Sequence, residues 1–150
     1  MIACSDGTIT DKKTGLTWQR RSYAETRLNW KQALIYCTNL KLGYFDDWRM
    51  PTVQELLTIV DYTESHPAID LLYFPDTIPS VYWSSTTVAR YGNYAWGVYF
   101  GSGGTSSYSK NSKYYARAVR GGPRLFDNKC KCSASPADEI TESSLIQEWA

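Results

Sequence analysis

Histidine is the usual general base in proteins, and this chain has one, His66. It stands in Glu64-Ser65-His66-Pro67, a turn-like loop, and no nucleophile is patterned around it. The reading is a solvated loop histidine rather than a triad member. Cys130 and Cys132 are separated by one residue. That spacing is too tight for a zinc ribbon, and a single histidine cannot complete a mixed Cys/His site. A redox role would need an activating environment, which the surrounding polar tail does not supply. Asp46-Asp47 is a candidate calcium pair, but a hard cation takes roughly six or more oxygens. Asp47-Trp48-Arg49 reads better as a loop lock, with acid and guanidinium paired or bonded to backbone. No catalytic residue, metal or cofactor is therefore expected, and binding becomes the leading class.

Two sets of residues suit binding. Residues 82–115 hold 7 of the 12 tyrosines, with 7 serines, 5 glycines and 2 asparagines. This is paratope composition: tyrosine offers a rigid amphipathic surface, and the small polar residues adapt hydrogen bonds. The second set is cationic. Residues 81–132 carry 8 Lys/Arg against one Asp, while residues 1–80 are net −2 and residues 133–150 net −4. Sulfates and phosphates are held by arginine forks and lysine point charges. The candidate ligand-binding residues are Arg90, Tyr94, Tyr99, Tyr108, Lys110, Lys113, Arg117, Arg124, Lys129 and Lys131. Arg117 and Arg120 fall on opposite faces of one predicted strand, so at most one of them points into a given groove. The tryptophans Trp18, Trp30, Trp48, Trp83 and Trp96 coincide with apolar stripes and read as core.

The elements that must position these residues are legible in outline. Residues 7–19 predict a hairpin turning at Gly15. Asn29 caps a helix over 30–40 with Trp30, Ala33, Leu34, Cys37 and Leu40 on one stripe, closed by Gly43. Thr52 and Glu55 form a capping box for a second helix over 53–62. Short strands follow at 82–85, 95–100, 106–110 and 115–120. Two early helices and late antiparallel strands predict an α+β domain over 1–122. Residues 123–150 form a polar, acidic tail in which only Leu145, Ile146 and Trp149 look able to dock.

The chain has 150 residues and 43% hydrophobic residues, enough for one domain with a core. A net charge of +1 argues against a generic nucleic-acid partner. No apolar run reaches the ~20 residues of a membrane span. No export signal is visible after Met1, and the expected context is an excised domain of a longer exported protein. Four cysteines, Cys4, Cys37, Cys130 and Cys132, suit disulfides in such a protein.

In order along the chain come Thr14-Gly15-Leu16-Thr17-Trp18-Gln19, Trp30-x-x-Ala33 with Cys37-x-x-Leu40, and Asp47-Trp48-Arg49-Met50-Pro51-Thr52 with Glu55-Leu56. Phe74-Pro75, Tyr82-Trp83-Ser84-Ser85-Thr86, Ala95-Trp96-x-Val98-x-Phe100 and Val119-Arg120-Gly121-Gly122 follow. This ordered set resembles the family named after the C-terminal domain of the Legionella collagen-like adhesin. The resemblance implies a C-type-lectin-like fold, exported to a cell surface, trimeric, and binding sulfated glycosaminoglycans. It also implies a disulfide from Cys37 to Cys130 or Cys132. The same fold serves as a diversified protein receptor, for which Tyr91, Asn93, Tyr94, Tyr99, Ser107, Tyr108, Asn111 and Tyr114 would be the variable positions. It also serves in formylglycine-generating enzymes, whose catalytic residues have no convincing counterpart here.

Overall fold

The computed structural model describes residues 1–22 and 26–121. It is a mixed α+β arrangement of two small antiparallel sheets and two short helices. Strand β1 (Ile2–Ala3) pairs with β2 (Thr8–Asp11), which pairs with β3 (Leu16–Gln19). The predicted hairpin is present, and β1 adds an edge that the sequence pattern did not suggest. Asp11 holds its turn, accepting from the Lys13 amide at 2.9 Å and from the Thr14 hydroxyl at 3.1 Å. Gly15 follows at φ 73°, a left-handed position that suits glycine.

Helix α1 (Trp30–Asn39) begins with a full capping box. The Asn29 side chain accepts from the Gln32 amide, and the Gln32 side chain accepts from the Asn29 amide. The helix ends as Leu40 turns extended, so Gly43 belongs to the next turn rather than to the cap. Helix α2 (Val53–Leu57) has the expected Thr52–Glu55 box but is half the predicted length. The Thr58 hydroxyl donates back to the Glu55 carbonyl at 2.6 Å. Thr58, Ile59 and Val60 then bond three residues back, tightening the chain out of the α-helix. Asp61 can thereby reach the Ala68 carbonyl.

The second sheet is β4 (Val81–Val88), β5 (Tyr91–Tyr99) and β6 (Gly104–Ser109), in that order. All three strands run longer than, or are shifted from, their predicted bounds. Strand β7 (Val119–Gly121) closes the first sheet against β3. The predicted strand over 115–120 is mostly irregular. Tyr115 instead bridges Tyr82 in parallel, and Val119 also bridges Arg49.

Two apolar clusters lie on the two faces of the second sheet. One joins Tyr82, Val98 and Phe100 to Leu56, Ile59, Trp18 and Val119. The other joins Trp83 and Ala95 to Ala33 and Cys37 of α1, with Trp48 and Met50. Trp18, Trp48 and Trp83 are buried as expected, but Trp30 and Trp96 are only half-buried.

Candidate binding surface

The C-terminal half of β5 is largely buried, and its N-terminal end is exposed. Ala95, Gly97 and Val98 are buried, while 91–94 are all exposed. Strand β6 runs beside it with exposed residues over 104–107. The β4–β5 hairpin turns through Ala89 and Arg90, the latter at φ 68°. A non-glycine in that region costs about 1 kcal/mol or more.

The tyrosines divide by depth. Tyr82 is fully buried, and its hydroxyl accepts from the Ile78 amide at 3.1 Å. Tyr115 packs on it with ring centroids 5.7 Å apart. Tyr108 and Tyr114 meet edge-on at 4.9 Å, and both pack on Trp83. Desolvation, with Tyr114 close by, pushes the Tyr108 phenol above its ordinary value. Tyr91, Tyr94 and Tyr99 are exposed at 65%, 42% and 37%. Gly97 makes room for Tyr108: a Cβ there would lie 3.0 Å from its ring and 2.8 Å from Val81.

The cations divide as sharply. Arg117 was expected to face a ligand; it is 1% exposed instead. Its Nη1 donates to the Gln19 and Arg20 carbonyls at 2.6 Å each. Its Nη2 donates to Thr77 at 3.0 Å and to Asp76 at 3.3 Å, and the guanidinium lies over Phe74 at 4.9 Å. The irregular backbone over 116–118 turns it inward, so it ties the end of β3 to the loop over 74–77 rather than meeting solvent. Arg120 is also buried, gripping Asp47 through Nε and Nη2 at 2.6 and 3.0 Å. That hydrogen bond holds the Asp47 carboxyl below its ordinary range. Arg49 makes a second fork, to Glu55 at 2.6 and 2.7 Å. Burial opposes ionisation of Glu55, but the bonds from Arg49 and the Thr52 amide outweigh it and keep its carboxyl low. The Asp47-Trp48-Arg49 loop is therefore locked, though its acid and its guanidinium take different partners.

Lys110 is half-buried. Its ammonium sits 3.8 Å from the centroid of the Trp30 ring and donates to Thr87 at 3.0 Å. The Trp30 amide donates to the Lys110 carbonyl, and the Trp30 indole donates to the Ser84 carbonyl. The Lys110 side chain thus joins α1 to β4, besides being a candidate ligand-binding residue. Leu28 and Tyr114 form an isolated bridge just beyond it. The two contacts bring segment 27–31 against segment 110–114. Arg27, Lys31 and Lys113 are exposed there, and the first turn of α1 holds no acidic residue. Sequence reasoning missed Arg27 and Lys31, because their nearness to Lys113 depends on a bridge that no local pattern announces. Arg90 is exposed at the hairpin tip. Arg124, Lys129 and Lys131 lie outside the described residues.

The disulfide expected for Cys37 is absent. Cys37 is a free thiol on the buried side of α1, and burial pushes its pKa up to about 12. It belongs to the buried cluster that holds Ala33, Trp83 and Ala118. Cys4 is disulfide-bonded. Cys130 and Cys132 lie outside the described residues.

His66 is exposed at the rim of a cavity of about 470 Å³ with Asp61, Glu64 and Asp70. Asp61 accepts from Thr63, and Asp70 from the Leu72 amide, so both carboxylates serve their own loops. Among the described residues, no group of three or more His, Cys, Asp or Glu side chains is placed to hold a metal.

These features define a small α+β scaffold with a locked base and an open, tyrosine-rich sheet end. The chain belongs to the Lcl C-terminal domain family, which matches residues 7–120. It is an adhesin-like module in that sense. No curated protein matches it.

Proposed function

We propose that this domain is a non-catalytic binding module of the C-type-lectin-like fold, displayed at a cell surface, that holds sulfated glycans. The observation that carries the reading is the meeting of segments 27–31 and 110–114, which gathers Arg27, Lys31 and Lys113 around Lys110. None of the three exposed cations is ion-paired among the described residues. Polyanionic chains suit such a patch, because each sulfate meets a mobile charge beside neutral Asn29 and Ser112 donors. Family membership supports the adhesin character. A homotrimer would multiply a weak patch through avidity. Leu145, Ile146 and Trp149, the residues proposed for subunit contact, lie outside the described set.

The test is heparin affinity chromatography with salt elution. The wild type should bind and be released as salt shortens the Debye length below about 10 Å at 0.1 M. Lys31→Glu with Lys113→Glu should abolish retention, while Lys12→Glu with Lys13→Glu in the first hairpin should not. Equal loss in both would reduce the effect to diffuse charge.

A second reading has its own observation. Tyr91, Tyr94 and Tyr99 are exposed, and Asn93 and Ser107 beside them are exposed too. That surface suits a protein partner, as in diversified receptors. Failure of heparin binding in the wild type would make this the leading reading.

A further inference from the structure

Trp96 is the one framework tryptophan that belongs to neither buried cluster. Its strand explains why. Side chains alternate along β5, so Val98, Trp96 and Tyr94 point to the same face. At Val98 that face is covered by Leu56 of α2. Helix α2 ends after five residues, and among the described residues neither apolar cluster extends along that face to half-buried Trp96 or to Tyr94, 42% exposed. On β6 the partners across this face are Thr105 opposite Val98, Ser107 opposite Trp96 and Ser109 opposite Tyr94.

The chemistry of that strip is uniform. It holds two aromatic rings and three hydroxyl residues, and no charge. The Trp96 indole N–H has no partner among the described residues, and neither do the hydroxyls of Tyr94, Thr105 and Ser107. Exposed polar groups bonded only to water cost nothing in the free protein and are available to a ligand. A purely apolar partner would leave these donors unsatisfied on binding. An anion would find no cation. A pyranose ring satisfies both demands: its C–H face stacks on an indole, and its rim of hydroxyls meets donors and acceptors in the plane of the strip.

We infer that the Trp96–Tyr94 strip is a stacking site for uncharged pyranose rings, separate from the cationic patch at the start of α1. Trp96 is the plate, Tyr94 extends it along the strand, and Ser107 and Thr105 supply rim hydrogen bonds. The cationic patch lies with α1, which packs on the opposite face of the same sheet through Ala33 and Cys37 against Trp83 and Ala95. The two sites are thus independent in position and in physics.

The experiment is a ¹H–¹⁵N NMR titration of the whole chain, reading the indole N–H signals. Trp96→Phe assigns the Trp96 signal by its loss. Cellohexaose, chitohexaose and a galactose hexasaccharide are titrated separately. At least one should move the Trp96 indole signal, with affinity unchanged between low and moderate salt. Trp96→Ala should weaken that binding about tenfold or more, and Trp96→Phe less. Lys31→Glu with Lys113→Glu should leave it intact, so loss of heparin binding and loss of sugar stacking are read apart. Far-UV circular dichroism and the melting temperature confirm that each variant folds. The inference is overturned if no sugar moves the Trp96 signal. It is equally overturned if Trp96→Ala keeps full affinity, or if Trp96→Ser only converts an oligomer to a monomer, making the strip a subunit contact.

Discussion

Replacing Arg117 decides whether this residue serves ligand or fold. Its guanidinium donates to two carbonyls, a threonine hydroxyl and a carboxylate, and it is 1% exposed. Arg117→Ala removes every one of those donors at once. The Gln19 and Arg20 carbonyls lose charged partners in a buried site, at about 1–3 kcal/mol for each group left unsatisfied. Lost packing of the side chain on Phe74 and Tyr82 adds to this. The Asp76 ion pair adds less, because Asp76 is 24% exposed and water repays much of its loss. Removing one member of a buried charged network typically costs about 3–5 kcal/mol, and that is the expected total. For a domain of this size it is a large share of the ~5–15 kcal/mol available. Arg117→Lys keeps the charge without the fork and should cost about half as much, leaving a folded protein for binding assays. Urea unfolding measures both. A loss below about 1 kcal/mol for the alanine variant would refute the reasoning. So would a folded lysine variant that has lost heparin binding, because that would return Arg117 to the ligand.

Gly97→Ala should destabilise by about 1–3 kcal/mol, since its Cβ would meet Val81 and Tyr108 at 2.8 and 3.0 Å; thermal melts read this directly. Cys37 should resist iodoacetamide in the native protein at neutral pH and react promptly in urea, because burial holds its pKa near 12. Non-reduced peptide mapping should find it as a thiol, with Cys4 as the described cysteine that is linked. Asp47 and Glu55 both titrate below their unfolded values. Their contribution is therefore complete above about pH 4 and is lost as pH falls through the lower folded values. Melting temperature should drop on acidification, and Asp47→Asn should flatten that dependence; an unchanged slope would remove Asp47 as a cause.

Local signals were read well where the chain answers to itself. The hairpin turn, the Asn29 cap and the Thr52–Glu55 capping box depend on residues within a few positions of one another. Helix α2 was overread because its apolar stripe continues past Leu57, while the Thr58 hydroxyl competes for the backbone. Arg117 was misread because its partners, Gln19, Arg20, Asp76 and Thr77, are distant in sequence and none announces a guanidinium site. The structural contacts of Lys110 were hidden for the same reason, since Trp30 and Thr87 reach it only through tertiary packing. Cys37 was assigned a partner by resemblance, although its place on the apolar stripe of α1 already marked it as buried. The exposed tyrosines were legible as a composition, but the division into core, support and surface needed the sheet.

The glycines at the open end of the second sheet have a practical consequence for engineering. A side chain built on Gly92 meets nothing within 4 Å, and one on Gly104 meets only the Ser102 hydroxyl at 3.6 Å. Tyr91, Asn93, Tyr94, Thr105 and Ser107 are exposed around them. The anchors of the sheet are Trp83, Ala95, Gly97, Val98 and Tyr108, one or more strand positions away. Neighbouring substitutions couple, both with one another and with the anchors beside them. The seven adjoining positions are therefore best randomised together as one combinatorial library, glycines included, with fold and affinity both read for each member.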